Sequence, residues 1–199
     1  MLYLYGAGGH AKVVLETAEE LNIPISGIID EKIVVGTLFD YRIFVPGEVS
    51  FSQETLILSI GDNSARKQLA EKYEQKTFTS LVHPRAYVSR RAAIGAGSVV
   101  LAGVSINSSV IVGEHVIINT NSSVDHDCTI GDYVHIAPNA CLAGNVTVGE
   151  GAFIGMGACV KQGIRIGKWA VIGAGSVVLT DVPDFSKFWG NPAKTGTRK

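Results

Sequence analysis

Charge of either sign is scarce in excess here: 17 basic residues face 18 acidic ones, a formal net charge of −1 over 199 residues. No broad field therefore draws nucleic acid or an anionic membrane to the chain. Long apolar runs are missing too. Gly, Ser and Asn interrupt every stretch before it nears the roughly 20 apolar residues of a membrane helix. The opening MLYLYGAGGH lacks the basic region and small-residue cleavage site of a signal peptide, so a cytoplasmic protein is expected. Cysteine is sparse and odd in number, at three, with no Cys-x-x-Cys or His-x-x-x-His clip; reduced thiols and no structural zinc are expected.

What is present falls into two regions of different period. In the first 80 residues, strand-like and helix-like segments alternate. A short apolar run at residues 2–5 ends in Gly6-Ala7-Gly8-Gly9. Residues 11–21 then place Val13, Val14, Ala18 and Leu21 at helical spacing. Residues 25–29 and 55–60 read as further strands, the second followed by Gly61-Asp62-Asn63 and a helix from 64 to about 75. Residues 1–80 are thus expected to form a small α/β domain of βαβ type.

After Leu81 the period becomes six. Stepping by six from Val82 through Val88, Ile94 and Val100 to Ile172 and Val178 meets only Ile, Val or Leu, and the 17 hexads hold register with no insertion or deletion. The fourth position after each is mostly small, as at Ala92, Ser98, Ser122, Ala140 and Ala158. Such a period suits a parallel β-helix whose flat faces each use one hexad, with the aliphatic residue inside. Neighbouring coils would pair as parallel strands about 4.8 Å apart. The β-helix is expected over 81–183, with a C-terminal tail over 184–199.

This repeat resembles that of the hexapeptide-repeat acyltransferases, a resemblance that implies three hexads to a coil and so places residues 18 apart over one another. One column then reads Ser108, His126, Gly144, Gln162 and Thr180, so an imidazole faces a rung without a side chain. That pair suits acyl transfer: the imidazole takes a proton near neutrality, and the Gly144 amide donates to an oxygen gaining charge. A surface histidine beside a turn glycine is the competing explanation. Asp125 and Asp127 flank His126, and a carboxylate on one ring nitrogen raises basicity at the other. Cys128 falls on the inward position and reads as packing. Cys141 and Cys159 share a column as unbonded thiols. The unbroken register leaves no room for a loop covering substrate, which assigns that work to the N-terminal domain.

There, Gly6-x-Gly8-x-x-Ala11 follows a strand and opens a helix, with Asp30 at the end of the next strand, as in the dinucleotide fingerprint. About 80 residues is half of a dinucleotide fold, so a mononucleotide-sized ligand is expected, its phosphate on the helix start and its ribose on Asp30. A glycine-rich turn that merely closes the sheet is the alternative.

Tyr5-Gly6-Ala7-Gly8-Gly9-His10, Ile60-Gly61-Asp62-Asn63 with Arg66-Lys67, Asp125-His126-Asp127-Cys128, Ala143-Gly144-Asn145-Val146 and the ending Gly190-Asn191-Pro192-Ala193-Lys194 together resemble one subgroup of the hexapeptide-repeat acyltransferases. It is the sialic-acid O-acetyltransferase and UDP-4-amino-sugar N-acetyltransferase family, of bacillosamine and perosamine type, in bacterial glycan synthesis. The resemblance covers nearly the whole chain and implies a left-handed β-helix, a homotrimer with sites between adjacent prisms, acetyl-CoA in the subunit groove and no metal. By position it implies His126 as general base, with Asp127, where N-acetyltransferases of the family carry Glu, and Gly144 beside it. It places acetyl-CoA at His135, Gly144, Met156, Ala174 and Lys194. The nucleotide-linked sugar falls to Gly8, Gly9, His10, Asp30, Glu31, Gly61 and Asn63. O-acetylation of a sialic acid is the nearest rival. A zinc hydratase on the same prism would need a His-x-x-x-x-His pair, absent here, and a non-catalytic sugar-nucleotide-binding trimer would release no CoA.

Overall fold

The computed structural model describes residues 1–33, 36–49 and 54–195; residues 196–199 of the expected tail lie outside the described residues. The N-terminal unit contains β1 (Leu2–Tyr5), α1 (Gly9–Glu20), β2 (Ile25–Ile29), β3 (Thr37–Leu38), β4 (Tyr41–Phe44), β5 (Thr55–Leu58), α2 (Asn63–Lys72) and β6 (Thr77–Phe78). Its sheet runs β3-β4-β2-β1-β5-β6 and is parallel except for the β3–β4 hairpin. Leu2, Leu4, Ile28, Ile29, Leu56, Ile57 and Leu58 are all fully buried, as expected of parallel strands covered on both faces. One face packs on α1 through Val14, Leu15 and Ala18 and runs on into Leu81, Val99 and Leu101 of the β-helix. The other face takes Ala70 and Leu69 of α2 and reaches Tyr133. Both apolar cores of the small domain therefore extend into the prism.

From β7 (Leu81–Val82) to β23 (Val177–Val178), seventeen two-residue strands follow one another every six residues. They build three parallel sheets of six, six and five strands. In-register pairs are 18 residues apart, for example Val99 with Ile117 and Ser123 with Cys141. Inside, the aliphatic column from Val100 to Val178 and its small partners form one continuous cluster. The lower rungs of the first sheet are buried outside as well. Their outward residues Leu81, Val99 and Ile117 are at most 1% exposed beneath the N-terminal domain.

The chain does not end its coil at 183. Val182 bridges Ile166, and β24 (Lys187–Trp189) pairs with β22 (Val171–Ile172) by setting Phe188 beside Ile172. Both spacings are 16, so the last coil is two residues short, lost between Val178 and Val182. β25 (Lys194–Thr195) then folds back antiparallel on β24. The expected tail is thus a further strand and a hairpin, with Phe188 against the core.

One residue bolts the two units together. Arg66 is fully buried, and among the described residues its hydrogen bonds go to main-chain carbonyls and one amide oxygen. Its Nε donates to His115 O at 2.8 Å, Nη1 to Ile60 O at 3.0 Å, and Nη2 to Tyr133 O at 2.8 Å and Asn63 Oδ1 at 2.9 Å. Burial lowers its pKa to about 10, still fully charged at neutrality. Arg66→Met strands these carbonyls at a cost of about 1–3 kcal/mol for each one left dry. It is expected to destabilise the chain by at least about 3 kcal/mol in a denaturant titration; a loss below about 1 kcal/mol would contradict this role.

Candidate functional site

The corner between the second and third sheets, after β14 (Ser123–Val124), presents His126. The neighbouring coil repeats this corner 18 residues on, and Asn145 N donates to His126 O at 2.9 Å. A Cβ built on Gly144 would stand 2.6 Å from His126 Cε1 and 2.7 Å from Nε2, so the ring lies against the bare rung. Among the described residues the Gly144 N–H has no backbone acceptor outside the helices and strands, which leaves it available.

Asp127 and Asp125 divide the work around the ring. Asp127 Oδ2 lies 2.7 Å from His126 Nδ1. Asp125 Oδ1 accepts from His126 N and from Asn107 Nδ2, both at 2.8 Å, and so fixes the backbone. A carboxylate can only accept, so Nδ1 carries the proton and Nε2 is left as the basic nitrogen. The bond to Asp127, aided by the charge of Asp125, raises the His126 pKa above the usual histidine value. Asp127 holds φ at 60°, a left-handed conformation that Asp and Asn accept better than most residues. Cys128 is fully buried inside the prism, and burial raises its thiol pKa, so it is packing as its register implied.

The second cluster lies at the carboxyl ends of β1, β2 and β5, where β1 sits between strands reached by opposite crossovers. Ligands of open α/β sheets bind at such switch points. A cavity of about 720 Å³ opens there, lined by Gly8, Gly9, His10, Asp30, Glu31 and Gly61, together with Lys32, Gln68 and Lys72. Gly6, at φ 112°, is packed so closely on Ile60 and Ser59 that a side chain would collide, whereas a Cβ on Gly8 or Gly9 meets nothing within 4 Å. The turn is tight where it closes the sheet and open where it faces the cavity. Asp30 braces it, accepting from Ala7 N at 2.8 Å and from Lys32 N and Ile33 N. Partial burial opposes ionisation of Asp30, but these backbone donors outweigh it and keep its pKa low. Glu31 accepts from Lys72 Nζ at 2.7 Å and Tyr5 Oη at 2.9 Å.

Asn63 requires a correction. It does not line the cavity. Its Nδ2 donates to Gly151 O and Ala152 O of the prism, and its Oδ1 accepts from Arg66. Its Nδ2 ties the small domain to the prism while its Oδ1 steadies Arg66 on the same helix, a role its place in the Ile60-Gly61-Asp62-Asn63 motif does not reveal. Conversely Lys72, which sequence reading passed over, projects from α2 on the same stripe as Ala65 and Leu69, at helical spacing.

The acetyl-CoA positions are dispersed. His135 is buried on the first sheet, with Nε2 3.0 Å from Asn119 Nδ2 and Nδ1 3.3 Å from Gly61 O. It touches the rim of the cavity and sits 6.2 Å from the His10 ring. Burial lowers the pKa of both imidazoles to about 4, aided at His10 by the nearby His135 and at His135 by Arg66, so both are neutral at pH 7. Met156, 56% exposed, and the exposed Ala174 share the corner between the first and second sheets. Lys194 is exposed on β25. No group of three or more His, Cys, Asp or Glu suited to a metal occurs among the described residues. No helix among them is long and apolar enough to cross a membrane.

Comparison with known proteins identifies this arrangement. The family model described as the PglD N-terminal domain matches residues 1–73, and that of the six-repeat bacterial transferase hexapeptide matches residues 109–144 and 145–180. A perosamine N-acetyltransferase from Caulobacter crescentus, solved as a His-to-Asn mutant with CoA and GDP-perosamine, is 35% identical. It superposes with a TM-score of 0.95 over 99% of this chain and 97% of that one. The chain belongs to the PglD-type family of hexapeptide-repeat acetyltransferases.

A second member, the acetyltransferase domain of PglB from Neisseria gonorrhoeae, is 36% identical with a TM-score of 0.92 over 98% of each chain; it has also been solved with acetyl coenzyme A. A UDP-N-acetylbacillosamine N-acetyltransferase from Bacillus subtilis is 37% identical over 114 residues, a match that spans about half of this chain and half the length of that curated relative. The acetyltransferase family expected from the motifs is thereby established, together with the β-helix and its small α/β domain.

Proposed function

We propose that the chain transfers the acetyl group of acetyl-CoA to the amino group of a nucleotide-linked 4-amino-sugar, UDP-linked, in bacterial glycan synthesis. The observation that carries this reading is His126 Nε2 lying against the Gly144 rung with Nδ1 held by Asp127. The family supplies the substrates: relatives are named for perosamine and bacillosamine, and solved members hold CoA with GDP-perosamine.

The sugar amine, neutral at its nitrogen, attacks the thioester carbonyl. His126 Nε2 takes its proton and the Gly144 N–H donates to the oxygen that gains charge. The C–S bond then breaks and CoA leaves as the thiol, its sulfur taking the proton from His126, with no acyl-enzyme. The nucleotide sits in the cavity at the N-terminal switch point, its phosphates against the open Gly8-Gly9 turn at the start of α1. Met156, Ala174, His135 and Lys194 are assigned to acetyl-CoA.

Within one chain the cavity lies over the first sheet, whereas His126 stands on the corner between the other two. The reading therefore includes a homotrimer, in which one copy's His126 serves its neighbour's cavity. A thiol-release assay with UDP- and GDP-linked 4-amino-sugars, against free and CMP-linked sialic acid, tests the assignment. Turnover is expected with the UDP-linked amine. Turnover with sialic acid alone would replace N-acetylation by O-acetylation.

A further inference from the structure

Two carboxylates flank one imidazole in Asp125-His126-Asp127. Asp127 takes the ring at Nδ1, whereas Asp125 turns to the main chain and accepts from His126 N at 2.8 Å. That contact lies within one dipeptide and leaves most of a carboxylate's about four lone-pair sites open, so by itself it does not pin the side chain. What pins it comes from the coil below. Asn107, 18 residues earlier, donates from Nδ2 to the same Oδ1 at 2.8 Å. The coil above sets Ala143 in this column, and among the described residues Asn107 is the one side chain that bonds Asp125.

The residue type fits the task. Ionised Asp125 only accepts, so its partner must donate; a carboxylate in place of Asn107 would face it with like charge one rung away. The two donors, Asn107 first and His126 N second, hold the Asp125 carboxyl below the ordinary carboxylate range, and its negative charge acts with the Asp127 bond in raising the basicity of His126. The anchor matters for a second reason. A freed Asp125 would compete with Asp127 for the Nδ1 hydrogen or draw the proton to Nε2, and a protonated Nε2 is no base.

We propose that Asn107 is a positioning residue for the transfer: by holding Asp125 on the main chain it fixes that charge beside the ring and keeps it off both ring nitrogens, which leaves Nδ1 to Asp127 and Nε2 to the substrate. This rests on the reading of His126 as the base.

The full-length protein tests it through a double-variant cycle with two readouts: kcat from thiol release, and the His126 pKa from NMR titration of the imidazole, which needs no substrate. Asn107→Ala is expected to lower kcat about 10-fold with the KM for acetyl-CoA unchanged. It is also expected to lower the His126 pKa, since a carboxylate no longer held beside the ring favours the protonated form less. In an Asp125→Ala background the same substitution should change kcat by less than about 2-fold and leave the pKa in place, because Asn107 has nothing left to hold. Asn107 is half-buried on an outer corner, so the thermal midpoint of each variant should stay close to wild type. Equal losses of kcat in the two backgrounds, or a His126 pKa that Asn107→Ala does not move, overturn the assignment. Turnover near wild type in His126→Ala refutes instead the base on which it rests.

Discussion

Replacing His126 with alanine is expected to lower kcat by about 10²- to 10⁴-fold, the usual contribution of a positioned general base, while acetyl-CoA binding is retained. The loss should be confined to turnover because the imidazole is half-exposed on a corner and supports no core packing. Among the described residues around it, no second group stands ready to replace it. Cys128, two residues on, points into the prism with its thiol against Ala143 O. Asp127 would survive in the variant, but a carboxylate is a far weaker base than an imidazole and serves an amine poorly near neutrality. Steady-state thiol release, with acetyl-CoA affinity from calorimetry, separates the two effects. Turnover near that of the wild type would remove His126 from the chemistry.

A methyl group on Gly144 is expected to cost about 10²- to 10³-fold in kcat, comparable to losing one oxyanion donor. The added carbon would overlap Cε1 and Nε2 of His126 and push the ring off the rung, separating base from amide. The fold should tolerate it. Gly144 is not among the glycines at positive φ, so alanine brings no backbone strain. A thermal midpoint close to wild type with collapsed turnover is therefore the signature to look for. An alanine variant of undiminished kcat would show that the rung need not be bare.

The β-helix was legible because one physical rule, a flat face every six residues, recurs without a break over seventeen strands, and stacking at 18 then places His126 over Gly144 without coordinates. The rule stops being readable where the last coil loses two residues: counting on from Val178 lands on Asp184, while the inward residues are Val182 and Phe188. The β3–β4 hairpin and β6 escaped for a different reason. Their strands are two to four residues long and carry too little alternation to stand out.

In the site, motif position anticipated that Gly8, Gly9 and Asp30 line one cavity, a placement set by local backbone. It failed at Asn63, whose partners are prism carbonyls 88 and 89 residues away. Arg66 was hidden for the same reason, since its decisive acceptors, His115 O and Tyr133 O, are brought near only by the docking of α2. The flanking aspartates left open which one orients the ring; backbone geometry decides it, turning Asp127 toward Nδ1 and Asp125 toward the main chain.

The most direct test is the pH dependence of kcat/KM for the wild type and for Asp127→Asn with a UDP-linked 4-amino-sugar. A base acts only when unprotonated, so activity should rise with pH through the His126 pKa, which Asp127 and Asp125 hold above the usual value near 6.5. Asn keeps the left-handed backbone but removes the charge, so the rising limb is predicted to move to lower pH and its plateau to fall. A limb that stays in place, or an absence of CoA release from any nucleotide-linked 4-amino-sugar, would contradict the account.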